Sequence, residues 1–148
     1  MYGTLKKKYG QNFLIDKNIL KKICNKIPEK FLKTIEIGPG DGRLTEYILK
    51  SEPKELKIIE IDSDLIKKLK AKFNENNKIK IINEDILNYS FLEEVDLIIS
   101  NLPYNISSQV LVKICLMKNL PKYLILMFQK EFAERLLDNK LNSINSLL

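Results

Sequence analysis

Thr34-Ile35-Glu36-Ile37-Gly38-Pro39-Gly40-Asp41-Gly42 is the stretch on which the fold turns. Residues 34–38 are β-branched and apolar apart from one acid, and read as a buried strand. The glycine-rich turn that follows lets the backbone pass close to a neighbour or a ligand. Residues 42–50 then read as a helix with Leu44, Tyr47 and Ile48 on one face. The same alternation continues on both sides. Upstream, Asp16 caps a predicted helix running to Ile27, just before Pro28. Downstream, residues 56–61, 78–83, 95–100 and 122–128 read as strands. Between and after them, a Ser63-capped helix to Phe73 and helices over 105–118 and from 131 are predicted. Short strands alternating with amphipathic helices predict an α/β fold, a doubly wound parallel sheet of Rossmann-like type.

Ligands of such sheets bind outside the carboxyl ends of the strands, so those ends carry the functional reading. The first ends in Gly38-Pro39-Gly40-Asp41-Gly42, which departs from the GxGxxG fingerprint and by itself reads equally well as a structural turn. The second ends in Glu60, 20 residues beyond Gly40, where an acid can accept hydrogen bonds from both ribose hydroxyls of an adenosine-bearing cofactor. Its neighbour Asp62 is better suited to start the next helix. At the third end, Asp85 can accept from an adenine amine with Ile86 packed on the ring, or serve as a turn residue. The fourth end is Asn101-Leu102-Pro103-Tyr104. Pro103 holds Leu102 extended, so the Asn101 side-chain oxygen and the Leu102 carbonyl converge as two acceptors on an NH₂ donor. Tyr104 offers a face on which an everted base can stack.

Composition narrows the chemistry. The chain has 148 residues, 45% of them hydrophobic, and no histidine. Ser-His-Asp and Cys-His triads and histidine-liganded metal sites are therefore excluded. Cys24 and Cys115 form no CxxC motif and are expected as buried thiols in a reducing compartment rather than as a disulfide. No apolar run reaches the ~18 residues that a membrane span needs. Residues 1–10 carry lysines with no apolar run behind them, so no secretory signal is expected and the location reads as cytoplasmic. Formal charge is +6, but residues 1–33 alone carry +7 and the remainder −1. A basic arm beside a near-neutral body suits a phosphate backbone, although a solvated lysine-rich surface gives the same count.

The segments KKKYGQNFLID, IEIGPGDGRLT, IIEID, NEDIL, NLPYNISS and MFQKEFAERL, spread from Lys6 to Leu136, together resemble the ribosomal RNA adenine dimethyltransferase family of class I S-adenosylmethionine-dependent methyltransferases. The resemblance implies dimethylation of the exocyclic amines of two adjacent adenosines near the 3′ end of small-subunit rRNA. It implies that residues 1–33 form an arm and helix closing over the cofactor, and 34–148 a cofactor-binding catalytic domain. Asn12 and Leu14 help close over S-adenosylmethionine, and Gly38 and Gly40 approach its methionine part. Glu60 takes the ribose hydroxyls, and Asp85 with Ile86 the adenine. Asn101 stands near the methionine end and, with the Leu102 carbonyl set by Pro103, orients the target amine while Tyr104 stacks on the base. Lys6, Lys7 and Lys8 meet RNA, and Phe132 forms a second wall for the base. The implied partner is small-subunit rRNA in an immature subunit, bound by a monomer with no metal and no membrane.

Family members continue beyond the point where this sequence stops. The expectation is thus a sheet lacking its last two strands, an absent C-terminal helical domain, and a fifth strand left as an exposed apolar edge. Four other readings compete. One is a catalytically silent RNA-binding or assembly module, and another a large-subunit rRNA adenine methylase. A third is a methylase for protein amides or DNA adenine, which the basic arm disfavours. The fourth, a nicotinamide dehydrogenase, lacks GxGxxG and has no use for NLPY.

Overall fold

The computed structural model describes residues 14, 16–28, 33–102 and 105–137. Strand β1 (Lys33–Ile37) pairs in parallel with β2 (Glu55–Glu60) on one side and β4 (Leu97–Asn101) on the other. Beyond them lie β3 (Ile79–Asn83) and β5 (Tyr123–Met127), giving the order β3-β2-β1-β4-β5 with every pair parallel. Parallel strands need crossovers, and here these are α2 (Arg43–Leu49), α3 (Ser63–Phe73) and α4 (Ser107–Cys115), preceded by α1 (Lys17–Cys24) and followed by α5 (Lys130–Leu137).

The alternation of side chains along each strand divides the core in two. Leu56, Ile58, Leu97 and Ile99 face Leu20 and Ile23 of α1, Leu44 and Ile48 of α2, and Leu69 of α3. Ile35, Ile37, Ile59 and Ile98 face the opposite way, onto Val110 and Ile114 of α4. Each such fully buried Leu or Ile stabilises by about 1.5–3 kcal/mol over leaving it in water, which is why the strands that alternation buries on both faces sit centrally. The doubly wound sheet expected from the sequence is present in these five strands.

Several local expectations are corrected. The first helix stops at Cys24 rather than Ile27, and Lys26 and Ile27 instead donate to the Ile23 and Cys24 carbonyls in tight turns. The physical reason is Pro28, which disfavours helical geometry in the residue before it. Asp16 does cap α1, accepting from Asn18 N at 2.7 Å. The cap of α3 is Asp62, whose Oδ1 accepts from Asp64 N at 3.0 Å, while Ser63 donates its hydroxyl to Asn83 Oδ1. Helix α4 is shorter than the predicted 105–118, spanning Ser107–Cys115. Cys115 is exposed and Cys24 half-buried, so the expectation of two buried thiols fails at α4, whose last turn leaves the core. Among the described residues no helix is long and apolar enough to cross a membrane, and no cluster of acids and cysteines is arranged to hold a metal.

Candidate active site

The strand order reverses between β1 and β4, and in open α/β sheets the binding crevice opens at such a switch point. Here the two strands are tied at their carboxyl ends, where Ser100 Oγ donates to the Ile37 carbonyl at 2.6 Å. Gly38 and Asn101 follow directly on either side of that tie.

The turn after β1 is G-x-G-x-G, with Gly38, Gly40 and Gly42 all at positive φ (66°, 60° and 78°). Two of these glycines have different reasons. A Cβ on Gly42 would lie 2.9 Å from Phe73 Cε2 and 3.0 Å from Leu69 Cδ2, so this glycine lets the start of α2 seat against α3. A Cβ on Gly38 would meet nothing within 4 Å and would project into open space at the switch point. One glycine thus serves packing and the other keeps a surface clear.

Gly38 and Gly40 line a narrow cavity of about 30 Å³ together with Leu14, Glu36, Arg43 and Asn101. Leu14 reaches this wall from the segment before α1. A larger cavity, about 570 Å³, lies away from the strand ends on the outer flank of α4, between Tyr89, Phe91 and Val112. None of the residues singled out in the sequence lines it, so the smaller, polar cleft at the switch point is the chemically furnished one.

Glu60 is only 6% exposed, so it is no solvated acid at the strand end. Its Oε1 accepts from Asp62 N at 2.9 Å and its Oε2 from Gly40 N at 3.3 Å, so it fastens the end of β2 to the glycine turn. Burial pushes its carboxyl above the ordinary range, against the pull of these backbone donors. The Ile61 backbone N–H also lowers it, so the backbone already takes three of the carboxylate's roughly four acceptor positions. Asn83 locks the neighbouring strand end by donating to the Glu60 and Ile61 carbonyls at 2.9 and 3.2 Å.

Asp85 fills a turn role, its Oδ1 accepting from Leu87 N at 2.9 Å, and Ile86 is buried in the core beside Leu102. Neither lines the narrow cavity; both stand at the neighbouring end of β3. Phe132 lies on α5, edge-on to Phe128 at 5.0 Å and beneath the Arg135 guanidinium at 5.6 Å. It too is outside the cavity. Ser107 opens α4 as a buried residue, and the cap position of that helix is Ile106, with no side-chain cap bond. Asn12, Pro103, Tyr104, Lys6, Lys7 and Lys8 lie outside the described residues.

The sequence reading passed over Glu36. It is 1% exposed, held on β1 beneath α2, where Thr45 Oγ1 donates to its Oε2 at 2.6 Å. Its Oε1 has no hydrogen-bond partner among the described residues. Burial pushes its carboxyl up to about 8, with Glu60 adding to the rise and Thr45 and Lys72 opposing it. Cys24 nearby is pushed up to about 11 by burial and then by Glu36. The available signal was an acid inside an apolar strand bound for the core, which is rarely buried without a purpose.

Residues 3–148 match the family model described as ribosomal RNA adenine dimethylase. Two relatives named ribosomal RNA small subunit methyltransferase A are similar. That of Pelagibacter ubique is 44% identical over 97% of this chain and 56% of its own length. That of Metamycoplasma arthritidis is 46% identical over 88% and 50%. Among solved structures, a dimethyladenosine transferase from Plasmodium falciparum superposes with a TM-score of 0.77 at 35% identity, covering 90% of this chain and 49% of that one. The 23S rRNA methyltransferase ErmE gives 0.70 at 28% identity, covering 83% and 50%. The chain thus spans about half the length of the curated relatives it matches. With a family model running through nearly the whole sequence and a class I methyltransferase sheet beneath it, the chain belongs to the ribosomal RNA adenine dimethylase family.

Proposed function

We propose that the chain carries the S-adenosylmethionine site and catalytic centre for dimethylating the exocyclic amines of two adjacent adenosines near the 3′ end of small-subunit rRNA. The observation that carries this reading is the meeting of the glycine turn, Glu60 and Asn101 at the one switch point of the sheet. The small-subunit substrate is supported by the relatives so named at 44% and 46% identity. The proposed setting is the cytoplasm, with a monomer acting on an immature subunit.

The groups that line the crevice match the cofactor's chemistry, although the cleft of about 30 Å³ must open to admit it. A buried carboxyl oxygen without a partner among the described residues stands on its wall, and the side-chain space above Gly38 is open. In this reading Leu14 and Asn12 close over the ligand, Gly38 and Gly40 border its methionine part, Glu60 takes the ribose hydroxyls, and Asp85 and Ile86 take the adenine. S-adenosylmethionine supplies an already activated methyl group on a sulfonium.

The protein's task is then to present the amine. An adenine amine is a poor nucleophile because its lone pair is drawn into the ring. Asn101 and the Leu102 carbonyl accept its two N–H bonds and favour a pyramidal nitrogen whose lone pair is localised. Tyr104, held by Pro103, stacks on the everted base, with Phe132 as a second wall. For the second methylation one N–H remains to be held. No step requires a histidine, in keeping with a sequence that has none. Lys6, Lys7 and Lys8 meet the phosphate backbone; neutralising all three should weaken RNA binding and flatten its salt dependence, by a slope of about one per lost contact. An unchanged slope would return them to solvent.

Titration calorimetry of S-adenosylmethionine into this chain tests the cofactor site. Transfer of labelled methyl to small-subunit rRNA in immature particles tests the rest. Saturable heat and dimethyladenosine in the product are expected. No heat at millimolar ligand would overturn the enzyme in favour of a silent RNA-binding module.

A further inference from the structure

We propose that Glu36 becomes the counter-charge to a cationic group of the ligand bound at the switch point, and that it gives up a proton when that ligand binds. This rests on the reading of the crevice as the S-adenosylmethionine site and adds to it a residue and a linkage.

Among the described residues no cation pairs with this carboxyl, and Lys72 acts on it only at a distance. It is buried against the sheet, its Oε2 satisfied by Thr45 and its Oε1 on the cavity wall without a partner. The charged and titratable groups around it come from five places. Helix α1 presents the neutral Cys24 thiol, and β2 presents Glu60, a like charge. The turn presents Asp41, and α2 presents Arg43, but these two pair with each other at 2.8 Å. Helix α3 presents Lys72, whose ammonium sits 2.9 Å from Glu46. Both nearby cations are thus engaged by other acids, and Glu36 makes no ion pair among the described residues.

A buried carboxylate with no cation is costly, so the free chain holds Glu36 as the neutral acid near pH 7. The proton belongs on Oε1, since Oε2 already accepts from Thr45. S-adenosylmethionine carries two positive groups, a sulfonium and an ammonium. Bringing either into this cleft stabilises the ionised carboxyl. The Oε1–H bond then breaks, the proton passes to buffer, and a carboxylate faces a cation with no change in the protein's covalent structure. Binding is therefore tighter as pH rises toward the free group's titration near 8, by at most about tenfold per unit.

The test is calorimetry of the 148-residue chain at pH 7 in buffers of different ionisation enthalpy, titrated with S-adenosylmethionine and separately with S-adenosylhomocysteine. Wild type should release close to one proton per S-adenosylmethionine, and Glu36→Gln should bind with little release and a pH-independent affinity. Equal release with both ligands places the cation at the shared ammonium, and release with S-adenosylmethionine alone places it at the sulfonium. Carbon-13 spectra of glutamate-labelled wild type give the same reading without a variant: a carboxyl titrating near 8 in the free chain should fall below 7 in the complex. Binding heat with no proton released, undiminished release in Glu36→Gln, or no carboxyl moved by the ligand would overturn the inference while leaving the cofactor site standing. The absence of any binding heat would remove both.

Discussion

The two halves of the sheet are built to different standards. On the β1–β2 side the strand ends are fastened: Glu60 holds the turn through Gly40 N, Asn83 holds two carbonyls of the β2 exit, and Gly42 lets α2 and α3 close together. On the β4–β5 side the order loosens. Tyr123 and Leu124 of β5 are 47% and 41% exposed, and α5 has no buried residue at all. The half that would read an invariant cofactor is preset in backbone hydrogen bonds and glycines. The half that would receive an RNA base offers aromatic and apolar surface. Asn101 stands on the seam, at the last position of β4, and belongs to both.

The largest effect should therefore come at that seam. Asn101→Ala should lower methyl transfer by about a hundredfold or more, the scale seen when a positioned transition-state hydrogen bond is removed. Calorimetry should show the cofactor still bound, because Gly40 and Glu60 stay in place. Near-normal turnover would assign the two halves no common centre. Next in size is Gly42→Ala, which tests the fastened side. Its Cβ would press on Phe73 at 2.9 Å and its φ of 78° is left-handed, so a loss of about 2–4 kcal/mol is expected in denaturant unfolding. A loss below about 0.5 kcal/mol would show that α2 and α3 are not held as described.

The same contrast explains what could be read from the sequence. The β-branched runs and the helical spacing of Leu65, Ile66 and Leu69 made the fold legible, because burial on both faces of a parallel strand leaves a continuous apolar signature. Gly38, Gly40 and Asn101, singled out at strand ends, and Leu14, singled out by the resemblance, line one cavity. Glu36 was not legible, because its importance comes from what surrounds it. Only three-dimensional packing shows that Arg43 and Lys72 are committed elsewhere. The Ser63 cap was misread for a related reason. Ser and Asp are both good caps, and the choice fell to Asn83, which takes the Ser63 hydroxyl from another strand.

A finer test separates two glycines that look alike in sequence. Gly38→Ala places its methyl in open space, so its stability cost is the backbone term alone, about 1–2 kcal/mol for a φ of 66°. The methyl would occupy the surface kept clear for the ligand, and S-adenosylmethionine affinity should fall by about tenfold or more. Gly42→Ala should do the reverse, costing stability and leaving the affinity of the folded fraction nearly unchanged. Equal effects of both substitutions on affinity would erase the distinction between a packing glycine and a clearing one.

The smallest effect is expected at the edge, and it is the most direct check on the looser half. Leu124 projects from β5 at 41% exposure, on a strand whose outer side pairs with nothing among the described residues. A parallel edge with exposed apolar side chains is a template for another chain, and lysine is the residue that natural edges use to prevent such pairing. Leu124→Lys removes little buried area, so the unfolding free energy should move by no more than about 0.5 kcal/mol. Sedimentation at rising protein concentration should nevertheless show less self-association than wild type, because the ammonium would have to be desolvated for a second edge to dock. If the substitution instead unfolds the chain, Leu124 is part of the core and β5 is as firmly fixed as β1. If it leaves both stability and association untouched, the edge is guarded by twist rather than by the chemistry of its side chains.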